Sequence, residues 1–342
     1  MGKATKHILI VGGYGHVGKL IARELLAKPN KGVRLAGRNR EKAANTAAAL
    51  GCESTVLDIA ERETWAPAVV ESDVIVMCID TPDNSLAAHV LMKGKHYVDI
   101  SASQAVIEGV ETLDSLARSS GGSAIVSVGF APGLTNLMVK SAVERMDHAE
   151  TARIGVLLGL GDAHGEAAIL WTLSNASDPK MPDRTPARIR FGNDRKASVA
   201  FPFPFSDQYA VRRTLGLSEA KTFLSLGHDF FTTLAFRGAP LLRDRPGAQR
   251  AIAGLLTRLR VGSDRAALAV EVLGRLDGQR ASVTMTCEGR REAEITARVA
   301  AFVIGRLLVT AAAPGVHHID EVVDANSVFD ELAASDVAIT VR

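Results

Sequence analysis

The stretch GGYGHVG, residues 12–18, spaces its glycines so that they read as GxxGxxG on Gly12, Gly15 and Gly18 or as GxGxxG on Gly13, Gly15 and Gly18. Glycines at these intervals do one kind of chemistry: they let a chain turn sharply and bring backbone amides against a diphosphate. One glycine makes the turn, one admits the anion, and Gly18 lets a following helix pack close to the strand before it. The helix N-terminus and its dipole then hold the phosphates. The expected contacts are Gly12, Gly13, Tyr14, Gly15, His16 and Val17. A plain strand-to-helix turn would use the same glycines without a ligand.

The next signal lies about 20 residues further on, in LAGRNREKA, where a site for NAD carries an acidic residue to accept hydrogen bonds from the ribose. This chain has Gly37 and Arg38 there. A small residue leaves room for a 2′-phosphate and a guanidinium pairs with it. Arg40 is a second cation beyond Asn39, so NADP(H) is the expected cofactor. Solvated loop arginines are the bland reading of the same residues.

These residues need a scaffold. ILIV, Ile8–Val11, is a continuous apolar run of the kind a buried parallel strand shows. Val17, Leu20, Ile21 and Leu25 then recur at helical spacing up to Pro29. The alternation continues through STVLDI, a helix over 61–71, DVIVMCID, a helix after Pro82, HYVDIS, a helix over 104–118 and SAIVSVGF. Strands alternating with helices predict an α/β fold with a doubly wound parallel sheet of the Rossmann kind. Such sheets bind at the carboxyl ends of their strands. That rule nominates Asp58 and Ile59 for the adenine side and Cys78, Ile79 and Asp80 along the pyrophosphate and ribose. Towards the nicotinamide it nominates Ser101 and Pro132 for the cofactor, with Ser103 and Phe130 beside the substrate.

At this point the chain resembles the saccharopine dehydrogenase (saccharopine reductase) family. The carrying stretches are ILIVGGYGHVG, LAGRNREKA, HYVDIS and VGFAPGLTNLMV, with a weaker echo in PGVHHIDEVVDANSVFDELAASDVAITV. The resemblance implies a Rossmann domain over 1–133 completed by the tail 311–342. Between them it implies an inserted α+β domain, 134–310, for substrate binding and homodimerisation. It also implies hydride transfer between NADP(H) and the C–N bond of an amino-acid-derived imine or secondary amine.

Past Leu134 the pattern changes. RIGVLLGL reads as a strand, GEAAILWTLSNA as a helix and DPKMPDRTP as a loop. Leu268, Val270 and Val272, then Val283, Met285 and Cys287, alternate about Asp277-Gly278, which predicts a β-hairpin. A helix follows with Ile295, Val299, Phe302 and Val303 on one side. FPFPF, Phe201–Phe205, reads as an apolar loop packed beneath its surroundings.

Two residues are candidates for acid or base work. Asp99 stands near the end of the fifth strand, where it could face an iminium cation or serve as a hydrogen-bonded strand-end carboxylate. His164 lies in GDAHGEAAILW with Asp162, Glu166 and Trp171, either as a general acid or within a helix-capping cluster. Trp171 is a further candidate for substrate contact, and one or two of Arg184, Arg188, Arg190, Arg212 and Arg213 could clamp a carboxylate.

Bulk properties exclude other classes. With 342 residues, 47% hydrophobic, and a formal charge of +2 from 40 basic and 38 acidic residues, the chain has no electrostatic footprint for nucleic acid or a membrane surface. Its partner is expected to be a small molecule. Cys52, Cys78 and Cys287 form no CxxC pair, the run Ile8–Val11 is too short for a signal sequence, and no apolar span approaches 20 residues, so a cytoplasmic protein is expected. His317-His318 lacks metal-ligand partners and reads as a solvated pair or cap, and no metal is expected. No GxSxG elbow supports nucleophilic catalysis. Tyr14, Tyr97 and Tyr209 are followed four residues later by Gly18, Ser101 and Arg213, so the Tyr–Lys pair of a short-chain carbonyl reductase is missing. An atypical member of that class and a non-catalytic NADP sensor are the alternatives.

Overall fold

The computed structural model describes residues 6–29, 31–162, 165–178, 184–257 and 262–341. They divide into two compact units, one running to Leu134 and resuming over Thr296–Asp324, the other taking Thr135–Ile295 and Ala325 onward.

The first unit is built on β1 (Lys6–Val11), β2 (Lys31–Gly37), β3 (Glu53–Val56), β4 (Val74–Met77), β5 (His96–Asp99) and β6 (Ser123–Val126). A seventh strand, Gly315–His318, joins the edge beside β6. The order is β3-β2-β1-β4-β5-β6 followed by 315–318, and every pairing is parallel. Ile8, Leu9, Ile10 and Val11 are buried, as are Val74, Ile75 and Val76 on the neighbouring strand, which accounts for their unbroken apolar runs. Strand order reverses between β1 and β4, the switch point at which doubly wound sheets bind ligands.

Two sequence expectations change here. The helix expected over 104–118 is two helices, Gln104–Glu111 and Asp114–Ser120. Thr112 donates its hydroxyl to the Gly109 carbonyl at 2.7 Å, a local bond that competes with the helical ladder. The strand expected to reach Phe130 stops at Val126, because Ser127 takes φ +58° and leaves the sheet.

The second unit holds β7 (His148–Leu158), β8 (Ala187–Ile189), β9 (Ser198–Pro202), β10 (Glu219–Ser225), β11 (Arg265–Leu276) and β12 (Gln279–Arg290). β7 and β10 are parallel, and the other pairings are antiparallel. The hairpin β11–β12 turns on Asp277 and Gly278, both at positive φ, with Leu276 opposite Gln279. Two left-handed residues are what a two-residue hairpin turn requires. Leu268, Val270, Val272, Met285 and Cys287 are buried along it.

The unit boundaries differ from the expected 134–310 and 311–342. The helix Glu292–Val309 carries the chain back, with Ile295 in the second unit and Thr296 onward in the first. Of the tail, 315–318 joins the parallel sheet, but Ala338–Val341 pairs antiparallel with β12. The outer side of β12 offers unmet backbone groups, and the last strand supplies their partners.

Candidate nucleotide site

The glycine turn is held to the end of β2: the Gly12 and Gly13 amides both donate to the Ala36 carbonyl, at 2.9 and 3.1 Å. Gly15 N–H donates to the Gly12 carbonyl at 2.8 Å. Gly12 has φ +80°, and a Cβ on Gly18 would lie 2.6 Å from the Gly12 oxygen, so side chains are excluded at both positions. The helix His16–Leu26 makes its first internal bond from Lys19 N–H to the Gly15 carbonyl, which leaves the amides of Val17 and Gly18 ahead of the ladder. The amides of Gly12 and Gly13 thus build the turn, and the first helical turn with its dipole is the part of the segment suited to a phosphate.

At the end of β2, a Cβ on Gly37 would overlap the Tyr14 ring, which takes the place of a residue-37 side chain. Asn39 is committed locally: its Oδ1 accepts from Lys42 N–H at 2.8 Å and caps the helix Arg40–Leu50. Arg38 and Arg40 are exposed and have no ion pair with any described residue. Glu41 in the first turn suits the helix dipole, while the two guanidiniums beside it have no ion pair with any described residue and can receive a further anion. A 2′-phosphate is such an anion.

Asp58 and Ile59 follow β3. Asp58 organises its own turn, with Oδ1 accepting from Ala60 N–H at 3.0 Å and its carbonyl accepting from Trp65 Nε1 at 2.8 Å. After β4, Cys78 and Ile79 back directly onto the glycine turn: a Cβ on Gly12 would meet Ile79 Cγ1 at 2.9 Å and the Cys78 oxygen at 3.3 Å. Burial pushes the Cys78 thiol up, and the neighbouring Asp99 charge adds to the shift. The structure therefore brings Cys78 and Ile79 to the glycine turn. Asp80 lies beyond them and is tied to the end of β5, since Ser101 Oγ donates to its Oδ1 at 3.0 Å.

Asp99 is 1% exposed. Tyr97 donates its hydroxyl to Oδ2 at 2.8 Å, and Ser101 N–H donates to Oδ1 at 2.7 Å. Burial raises its carboxyl to about 6 against these two bonds. With both oxygens occupied and no open face, Asp99 positions the β5 loop, the strand-end role, and is not placed to touch substrate. Ser103 N–H in turn donates to Ser101 Oγ at 3.2 Å, so the whole turn is cross-linked.

A chain of side chains that sequence reasoning missed fixes the end of β6. Ser127 Oγ lies 2.8 Å from His318 Nδ1, and His318 Nε2 lies 2.8 Å from Glu111 Oε1. His318 is 3% exposed and N-caps the helix Ile319–Val322, its N–H donating to Glu321 Oε2 at 2.7 Å, so of its two expected roles the structure shows the cap and not the solvated residue. Serine, histidine and carboxylate in that order resemble a hydrolytic triad, but Ser127 is fully buried and offers no nucleophile. The loop that follows carries Phe130 and Pro132. Phe130 N–H donates to Thr296 Oγ1 at 3.0 Å, and the Phe130 side chain is 1% exposed, so it is core rather than a substrate contact.

Residues 8–125 match the family described as saccharopine dehydrogenase NADP binding domain. The match falls within the first unit, whose nucleotide-binding segment is similar to that family. An NADP-binding domain of this kind places the chain among the NADP-linked oxidoreductases. No curated protein matches the chain by sequence. Among solved structures it is similar to apo saccharopine dehydrogenase (L-Glu forming) from Saccharomyces cerevisiae, at 14% identity and TM-score 0.68, over 98% of this chain and 100% of that one. It is also similar to C. glutamicum DAP dehydrogenase in complex with DAP, at 16% identity and TM-score 0.54, over 97% and 99%. An engineered D-amino acid dehydrogenase bound to NADP+ gives 16% identity and TM-score 0.54 over 97% and 100%. At these identities the likeness establishes a shared fold.

Outside the saccharopine dehydrogenase-type domain the expected site residues are dispersed. His164 lies outside the described residues. Asp162 Oδ2 accepts from Glu292 N–H at 2.8 Å, a cap for the helix Glu292–Val309. Trp171 sits edge-on to Phe203 at 5.3 Å and tilted to Phe205 at 5.6 Å, within an aromatic cluster. Arg188 is paired with Asp229 at 2.8 Å, and Arg184 donates to the carbonyls of Ala176 and Asp178. No group of three metal-ligating side chains occurs among the described residues, and none of their helices is long and apolar enough to cross a membrane.

Proposed function

We propose that the protein is an NADP-dependent oxidoreductase acting on the C–N bond of an amino-acid-derived imine or secondary amine. The observation that carries this reading is a saccharopine dehydrogenase-type nucleotide domain in which the expected acid, Asp99, is buried with both oxygens hydrogen-bonded. Reduction of a ketone needs a proton donor at the reacting oxygen. An iminium carbon is already electrophilic, and orientation and electrostatics carry much of its reduction. The reading is further supported by the names of similar structures, which include a DAP dehydrogenase and an engineered D-amino acid dehydrogenase.

In this proposal Val17 and Gly18 present amides to the diphosphate, and Arg38 and Arg40 receive the 2′-phosphate. Tyr14 and Ile79 flank the turn, and the Tyr97–Asp99–Ser101 and Ser127–His318–Glu111 chains hold the strand ends that face the reacting part of the cofactor. NADPH, when bound, supplies the hydride. Homodimerisation through the second unit belongs to the same proposal, supported by the exposed apolar Phe230, Leu234 and Leu241.

The test follows NADPH absorbance with paired amino acids and 2-oxo acids or aldehydes. Steady oxidation that requires both partners supports the reading. Turnover of the carbonyl compound alone favours a carbonyl reductase, and tight NADPH binding without turnover across the panel favours a sensor. Arg38→Ala is expected to raise KM for NADPH about 10- to 100-fold, the loss of one charge-assisted phosphate contact, and to change that for NADH less than about threefold.

A further inference from the structure

The second unit contains a cavity of about 310 Å³ that none of the nucleotide chemistry uses. Its walls are apolar and rigid. Phe201 and Phe236 stack face to face, with centroids 4.9 Å apart and planes 4° from parallel, and they are 6% and 5% exposed. Phe203 braces Phe236 edge-on at 6.2 Å, and Trp171 braces Phe203 in turn. Pro186, Pro202 and Pro240 add walls with little freedom to move.

Two guanidiniums, Arg184 and Arg237, join the lining, and no carboxylate is among its described residues. Arg184 is oriented by neutral acceptors, donating to the Asp178 carbonyl at 2.6 Å and the Ala176 carbonyl at 3.2 Å. Those bonds fix the side chain without cancelling its charge. Arg237 is exposed, at the end of the helix Asp229–Gly238, and has no hydrogen bond or ion pair with any described residue. Two cations with no ion pair among the described residues, at the border of an apolar cavity, are the complement of an anion attached to an apolar body. The volume lies at the small end of ligand sites, which suits a compact molecule.

We propose that this cavity binds a small carboxylate with an apolar body, an aryl or branched-alkyl acid. Its carboxylate meets Arg237 and Arg184, and its apolar part lies against Phe201 and Phe236. The site requires neither nicotinamide nor hydride transfer, so it stands or falls separately from the proposed reaction.

The test is calorimetric titration of the intact chain with 3-phenylpropanoate, with acetate and 3-phenylpropan-1-ol as probes lacking the apolar body and the charge. One 3-phenylpropanoate per chain is expected, at least tenfold tighter than either comparison probe and weakened by added salt. Arg237→Ala is expected to weaken it tenfold or more, and Arg237→Lys to recover part of the loss. Arg237 is exposed and unpaired among the described residues, so the variant is expected to fold, and unchanged NADPH binding in the same preparation checks that it has. Absence of 3-phenylpropanoate binding, equal binding of the alcohol or of acetate, or indifference to Arg237→Ala would each overturn the proposal. Loss of NADPH binding in the wild-type chain would instead count against the proposed reaction alone.

Discussion

In the nucleotide unit, the residues proposed to meet the ligand are mostly consecutive and act through their backbone, whereas in the second unit the candidate ligand groups are side chains gathered from residues 184, 201, 236 and 237. The first arrangement needs absent side chains, since glycine's value lies in what it leaves out. The second needs particular side chains held by distant neighbours. Short-range spacing records the first kind of site and has no means of recording the second.

The sharpest way to break that comparison is to put a side chain where the nucleotide unit excludes one. A Cβ at Gly18 would lie 2.6 Å from the Gly12 oxygen and 2.9 Å from Gly13 Cα, so the backbone of the turn has to move. Gly18→Val is expected to weaken NADPH by about 100-fold or more, nearly 3 kcal/mol, with circular dichroism confirming a folded chain. Gly254 supplies the control, since a Cβ there meets nothing within 4 Å, inside the second-unit helix Pro246–Leu256. Gly254→Ala is expected to leave NADPH affinity unchanged. Equal effects of the two substitutions would refute the view that close backbone approach makes the site.

A side-chain device inside the same nucleotide unit tests the other half of the comparison. His318→Ala removes the partner of buried Ser127 and of Glu111, and loss of a buried polar connection of this kind costs about 2–4 kcal/mol. Urea denaturation measures the loss directly, with His318→Gln recovering part of it. A change below about 0.5 kcal/mol would show that the chain of three does not hold the end of β6.

What could be read in advance divides along the same line. The strand-turn-helix of ILIVGGYGHVG, the cation after Gly37 and the Asp277-Gly278 hairpin are local, and each is found in the structure. His318 stands 191 residues from Ser127 and 207 from Glu111, and nothing in its own neighbourhood separates a buried connector from a surface histidine. At the break near Thr112, the Gly109 carbonyl is taken by the Thr112 hydroxyl and by Asn84 Nδ2, 25 residues away in sequence. The antiparallel addition of Ala338–Val341 to β12 depends on which backbone edge is left unpaired after the rest has folded. Pattern specifies elements, while long-range pairing specifies their ends and their polar cross-links.

The subtlest contrast is between two buried aspartates, one in each unit. Asp99 has well-formed bonds on both oxygens, whereas Asp207 accepts on Oδ1 from Thr222 Oγ1 at 2.6 Å and Gln208 N–H at 2.7 Å, with the Thr135 hydroxyl nearby, and its buried Oδ2 has no partner in full hydrogen-bond geometry. Burial is the chief cause raising both carboxyls to about 6. An unfolded aspartate releases its proton near 3.9, so between about pH 4 and pH 6 the native state binds more protons than the unfolded state. Stability therefore falls as pH rises through that window, and the full cost of the buried charge is present above it. Each aspartate contributes on the order of 2 kcal/mol to this slope. Asp207→Asn removes its share, and since an oxygen without a full partner becomes an amide without one, the variant is expected within about 1 kcal/mol of wild type at pH 7.5 and less stable at pH 5. Asp99→Asn flattens the slope equally but leaves the Tyr97 hydroxyl without its acceptor, so it is expected to be destabilised at both values. Urea midpoints at the two pH values separate these outcomes: a wild-type slope in Asp207→Asn would show that the buried carboxyl does not take up a proton in this range.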